Sequence, residues 1–161
     1  MQDRPPSFNF DDYGLTFLAR HLHRLRVVIS EQSDAIFAQE DISVPSHCSS
    51  LIVFLHEHGE ISVMKIANAL GYSHQLVMQR IALLQMQNLV SKRRDPTDRR
   101  RSLISLNSTG QLEAKRVLTA LPIIDAGIAS VLSEVESRLQ DELPYIREAL
   151  LQRSLSERGR A

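Results

Sequence analysis

Residues 92–101 read KRRDPTDRRR, in which Lys92, Arg93, Arg94, Arg99, Arg100 and Arg101 surround only Asp95 and Asp98. These six cations are nearly a third of the nineteen in a 161-residue chain whose formal net charge is zero. Guanidinium groups grip phosphate oxygens and guanine edges through pairs of parallel hydrogen bonds, so such a cluster suits a polyanion. The charge elsewhere sharpens the contrast. Residues 31–60 hold six acids and no Lys or Arg, whereas 61–101 hold eight cations against two acids. A neutral chain with a segregated basic segment usually presents it to nucleic acid. The bland alternative is a solvated, highly charged loop.

The other reactive residue types form no comparable constellation. His21 and His23, like His56 and His58, are two apart and fall on different faces of a helix, and His47 is adjacent to Cys48. Such spacing suits metal ligation poorly, and no metal is expected. Cys48, alone in the chain, cannot form an internal disulfide, which points to a reducing cytoplasm. Near a helix start its thiol pKa would be lowered by the dipole, whereas burial would leave it a structural residue. There is no phosphate-cradling glycine loop, no paired catalytic carboxylates in context and no nucleophile elbow. Neither enzymatic activity nor a cofactor is expected. No apolar run approaches the roughly 20 residues of a membrane span, and the N-terminus MQDRPPSFNFDDYG lacks the pattern of a secretory signal.

The elements that must position the basic segment follow from periodicity and turn residues. After a loose arm at 1–10, Leu15, Leu18, Leu22, Leu25, Ile29 and Ile36 recur at helical spacing and predict a helix from Asp12 to about Gln39, N-capped by Asp11 or Asp12. A second helix is predicted over 46–58, stopped by Gly59. SVMKIANALG gives a short helix capped by Ser62 and ended at Gly71. SHQLVMQRIALLQMQN gives another, capped by Ser73. Two short helices joined by a glycine-bearing turn of three or four residues are a helix–turn–helix. LVSKRR and RRSLISL around the turn DPTD read as a β-hairpin with a basic tip.

The expected fold is therefore mainly α with a small β-hairpin wing. A winged helix–turn–helix at 44–108 is flanked by helical regions at 11–43 and 109–153, which form a dimerisation platform, with a flexible tail at 154–161. Ser108 to Gln111 and Ser133 to Glu136 have capping-box spacing and predict helices over 109–132, kinked at Pro122, and 134–153. Val135, Leu139, Leu143, Ile146 and Leu150 continue a stripe too long for a small winged domain to bury. With Leu15 and Leu18 they are the predicted dimer interface.

LHEHGEISVMKIANALGYS and LVSKRRDPTDRRRSLISLNSTG resemble the MarR-type (multiple antibiotic resistance regulator) winged helix transcription factors. The wing motif has Asp98 and Arg100, then alternating Leu103 to Leu106, then a polar–polar–Gly helix start. The resemblance covers residues 12 to 152. It departs from the family pattern in SHQLVMQRIALL, where small hydroxyl residues are commoner, and at Asn88, where glycine is usual. It implies a homodimer on a pseudo-palindromic DNA site, usually as a repressor, with half-sites about one helical turn apart.

On this reading Ser73, His74, Gln75, Met78, Gln79 and Arg80 belong to the recognition helix. Gln suits adenine, His74 a phosphate or guanine, and Arg80 either backbone or an internal acid. In the wing, Arg100 is the minor-groove candidate, Asp98 orients it or a neighbour, and Lys92, Arg94 and Arg99 face phosphates; Arg101 is left to solvent. The resemblance further implies a small aromatic or phenolic effector in a cleft, for which His21, Arg24, His47, Ser50 and Phe54 are candidate lining residues. The competing class is a winged helix that grips an acidic protein partner.

Overall fold

The computed structural model describes residues 10–98 and 101–160. The chain divides into two compact units, one up to Ala120 and one from Leu121. In the first, a 3₁₀ segment Phe10–Phe17 leads into helix α1, Leu18–Gln39. The predicted start at Asp12 is thus corrected. Gly14 takes φ 58 and breaks the segment, so the regular helix begins later, at Leu18, after Phe17 and without a side-chain cap. A 3₁₀ turn at Ser46–Cys48 precedes α2, Ser49–His58. Its end is as the sequence predicts, at Gly59 with φ 66.

Strand β1, Ile61–Ser62, is followed by α3, Val63–Leu70, and α4, His74–Met86. Ser62 caps α3 by accepting from the Lys65 amide, and Gly71 ends it in the left-handed conformation. Asn88 takes φ 54 at the turn into β2, Val90–Arg94, filling without strain the position where glycine is commoner. β2 pairs antiparallel with β3, Ser102–Leu106, in the register Val90↔Leu106 to Arg94↔Ser102. β1, which the sequence reading lacks, pairs on the other edge of β3 through Ile61↔Ile104 and Ser62↔Leu103. At two residues it is too short to show a period.

The core gathers Phe37, Leu51, Ile52, Leu55, Ile66, Val77, Ile81, Leu84, Ile104 and Val117, each at most 1% exposed. Each such side chain contributes about 1.5–3 kcal/mol, so the helix–turn–helix and the wing root share one apolar interior. One carboxylate enters it. Glu113, 6% exposed, accepts from the Ser43 amide at 2.5 Å and the Ser43 hydroxyl at 2.7 Å, fixing the segment between α1 and α2 to the next helix.

That helix, α5, spans Ser108–Glu134 and runs through Pro122. Its cap is Asn107, whose side-chain oxygen accepts from Gly110 N at 2.9 Å, and not the predicted capping box from Ser108; Gln111 instead meets His56 Nδ1 at 2.6 Å. By length and composition α5 could cross a bilayer, which corrects the sequence reading; small residues, Pro122 and Asp125 dilute the apolar run without ending it.

In the second unit α5 continues to Glu134, so the helix start predicted at Ser133 is displaced. Glu136 turns the chain with φ 52, and the Ser137 hydroxyl accepts from Leu139 N at 3.2 Å to open α6, Leu139–Gln152. A one-turn helix α7, Leu155–Arg158, follows inside the predicted tail, with a complete Ser154/Glu157 capping box. Neither α6 nor α7 buries a residue.

Candidate nucleic-acid interface

The helix–turn–helix presents the first half of α4. Ser73 spends its hydroxyl on capping, accepting from Leu76 N at 3.2 Å. Val77, Ile81 and Leu84 face the core, which leaves His74, Gln75 and Gln79 exposed on the far side. Met78 is half-buried at the edge of that face. Beside it lies a groove of about 240 Å³, lined by Ser62, Val63, Met64, His74, Met78, Lys92, Arg101 and Ser102. One wall is therefore the start of α3 and α4, and the other is the hairpin.

Side chains alternate across a pleated sheet, so Lys92 and Arg94 share the face of Ile104, while Arg93 takes the opposite face with Leu103. Neither Lys92 nor Arg94 makes an ion pair with a described residue. The turn explains the proline and aspartates at the tip. The Asp95 carboxylate accepts from Thr97 N at 2.8 Å and Thr97 Oγ1 at 2.6 Å, and these bonds hold its pKa below the ordinary value. Asp98 pairs with Arg101 Nε at 3.2 Å, and its carbonyl accepts from the Arg101 amide at 2.8 Å. Asp98 thus orients a neighbour, and Arg101 belongs to the groove rather than to bulk solvent. Arg99 and Arg100 lie outside the described residues.

Arg80, expected to meet either the DNA backbone or an internal acid, turns inward but onto a ring and a hydroxyl. Its guanidinium stacks 4.3 Å from the Tyr72 ring, Nη1 donates to Ser50 Oγ at 3.3 Å, and Nε is buried with no hydrogen-bond partner. It ties α4 to the turn before it and to α2. Arg93 is likewise engaged, its Nε and Nη2 donating to both carboxylate oxygens of Glu60. Sequence reasoning missed the parts of Glu60, Met64 and Tyr72, because each depends on a contact across elements, and it left to solvent an Arg101 that pairs with Asp98 three residues before it. An acid, a hydrophobe or an arginine alone carries no signal of its partner.

Of the five candidate cleft residues, His47 alone lines either of the two described pockets. Ser50 is occupied by Arg80 and by the Tyr72 hydroxyl at 2.9 Å, and Phe54 stacks on His58 at 4.2 Å. His47 lines a shallow pocket of about 320 Å³ with Asp34, Phe37, Ala38 and the 42–45 segment. His21 and Arg24 sit on α1, outside that lining. Cys48 is fully buried, and burial pushes its thiol up to about 11 against the opposing pull of Arg80. Among the described residues no group of three His, Cys, Asp or Glu is placed to hold a metal. The predicted interface residues are left uncovered: Leu15 is 83%, Leu18 44%, Val135 64%, Leu143 43%, Ile146 46% and Leu150 46% exposed. Leu139 is half-buried.

A helix–turn–helix with an exposed second helix and a three-stranded wing is a winged helix. The MarR family model matches residues 42–101. Among solved structures, MepR of S. aureus in its DNA complex is 20% identical with TM-score 0.63, over 91% of this chain and 98% of that one. The PcaV transcriptional regulator of Streptomyces coelicolor, in complex with its natural ligand, is 17% identical with TM-score 0.68, over 89% and 98%. A mutant MarR from E. coli complexed with operator DNA is 13% identical with TM-score 0.64, over 91% and 98%. At these identities the likeness carries the fold. No curated protein matches the chain. The resemblance read from the helix and wing motifs is borne out over residues 42–101, which the MarR family model matches.

Proposed function

We propose that the chain is a sequence-specific, double-stranded-DNA-binding transcriptional regulator, acting in the cytoplasm as a homodimer on a pseudo-palindromic operator. The observation that carries this is the groove between α4 and the wing, where Lys92 and Arg101 stand opposite His74 and Met78. Lys92, which makes no ion pair with a described residue, suits a phosphate. Glutamines on the neighbouring exposed face suit adenine edges, and Met78 suits a thymine methyl. The DNA-bound MepR and operator-bound MarR structures support the same use of this fold. Arg99 and Arg100 extend the basic wing by sequence, and Arg100 remains the candidate for the minor groove.

The homodimer rests on apolar surface that a single chain leaves in water. In the first unit, Leu15, Leu18, Leu22, Leu25 and Val28 are exposed. In the second, Val131, Val135, Leu143, Ile146 and Leu150 are exposed. Patches of this kind mark a partner surface, and a second copy would also cover the apolar length of α5. A small aromatic or phenolic effector would act by favouring a dimer whose recognition helices no longer match the groove spacing, which makes the regulator a ligand-responsive repressor. The ligand-bound PcaV structure supports that reading.

Salt titration of duplex binding by the purified dimer tests it. Affinity should fall steeply with salt, and Lys92→Ala or Arg94→Ala should weaken all sequences alike and flatten the slope by about one. Binding that is absent at low salt would contradict the reading and favour the acidic-partner module.

A further inference from the structure

Among the described cations of the wing, Arg93 is held apart. Its strand position pairs with Leu103, which pairs in turn with Ser62 on the opposite edge, so Arg93, Leu103 and Ser62 form one row across the sheet. Glu60, two residues before Ser62, shares that face. Both Glu60 oxygens accept from Arg93, through Nε and Nη2, in the fork geometry that a phosphate would otherwise occupy. Lys92 and Arg94, on either side, point to the other face and have no such partner among the described residues.

We propose that Glu60 is a specificity determinant that withholds Arg93 from the DNA backbone. The inference rests on the DNA-binding reading above. A cation already neutralised by a carboxylate displaces no counterion from the duplex, so it adds nothing to the sequence-independent part of binding. Specificity is the ratio of operator to random-sequence affinity, and removing one indiscriminate phosphate contact raises that ratio. The pair is exposed enough for competition to matter, with Arg93 at 56% and Glu60 at 31% side-chain exposure. In the intact protein the carboxylate wins because it is held next to the guanidinium by the sheet, whereas a phosphate must be brought there.

The test uses the full chain, with a short random-sequence duplex as probe and anisotropy read over a salt series. Glu60→Gln keeps an oxygen for hydrogen bonding and removes the charge. It should bind random duplex roughly three- to tenfold more tightly at low salt, with a log–log salt slope steeper by about one. Arg93→Gln alone leaves the Glu60 carboxylate unpaired and should weaken random-duplex binding, whereas added to Glu60→Gln it should return slope and affinity to those of the unsubstituted protein. Thermal melts check that each variant is folded. Two outcomes overturn the proposal: Glu60→Gln that binds random duplex no better, or a double variant that keeps the tighter binding of Glu60→Gln although Arg93 is gone. If the unsubstituted protein binds no duplex at low salt, the DNA-binding reading falls and this inference with it. If it binds and Glu60→Gln changes nothing, only this inference falls.

Discussion

Gly110, in the first turn of α5, lies so close to the backbone of Leu89 that a Cβ at 110 would stand 2.0 Å from the Leu89 carbonyl oxygen. The same oxygen accepts from Asn107 N at 3.1 Å, and Asn107 Nδ2 donates to Asn88 O at 2.8 Å. The polar–polar–Gly signature is therefore the joint between the end of α4, the wing root and α5. Glycine is needed there for approach, not for its conformational freedom.

Gly110→Ala should destabilise the chain by about 3 kcal/mol, since the clash is with backbone that no rotamer can relieve. Urea denaturation measures it. A midpoint within error of the unsubstituted protein would show that the joint opens cheaply.

Gln75 and Gln79 stand on the exposed face of α4, whereas Arg80 is turned inward against Tyr72 and Ser50. Gln79→Ala should relax preference at one or two operator positions, by about 1–3 kcal/mol for a lost bidentate contact. Arg80→Met should instead lower stability by about 1 kcal/mol through the lost ring contact and leave the preferred sequence unchanged. Binding to a panel of single-base operator variants separates the two effects.

Cys48 is buried and its pKa stands at about 11 rather than the ordinary 9.0. The folded state thus favours the protonated thiol. That contribution to stability is whole below the ordinary value and is lost as pH rises from there toward 11. Thiol-reagent labelling at pH 8 should proceed only through unfolding, and mild oxidant should leave DNA binding intact. Rapid labelling of the native protein would refute this.

The uncovered apolar residues of α6 predict that Leu143→Asp or Ile146→Asp gives monomers on sizing chromatography, with weaker operator binding. A dimer that persists in both variants would move the interface elsewhere.

Much of this was legible in the sequence because local signals agreed. Ser62, Gly71 and Ser73 capped and stopped the helices where their chemistry demands, Asn88 took the left-handed turn, and the alternation from Leu103 to Leu106 set the wing. The misses share one cause, that a decisive contact came from elsewhere in the chain or the competing signal was too local. Asn107 outcompeted Ser108 because it also reaches Asn88, and Arg80 was drawn inward by Tyr72. Glu60 gained its role only when β1 joined β3 and brought it opposite Arg93. At the start of the chain, the leucine spacing ran on through Gly14 although the backbone did not.

Sequence-specific recognition by a two-fold dimer is open to selection from a random duplex pool. The expected outcome is an enriched palindrome with half-site centres about 10 base pairs apart, whose advantage over scrambled DNA survives a salt titration. A pool that yields no motif, with binding that vanishes as salt rises, would contradict it and leave the wing as a nonspecific cationic surface.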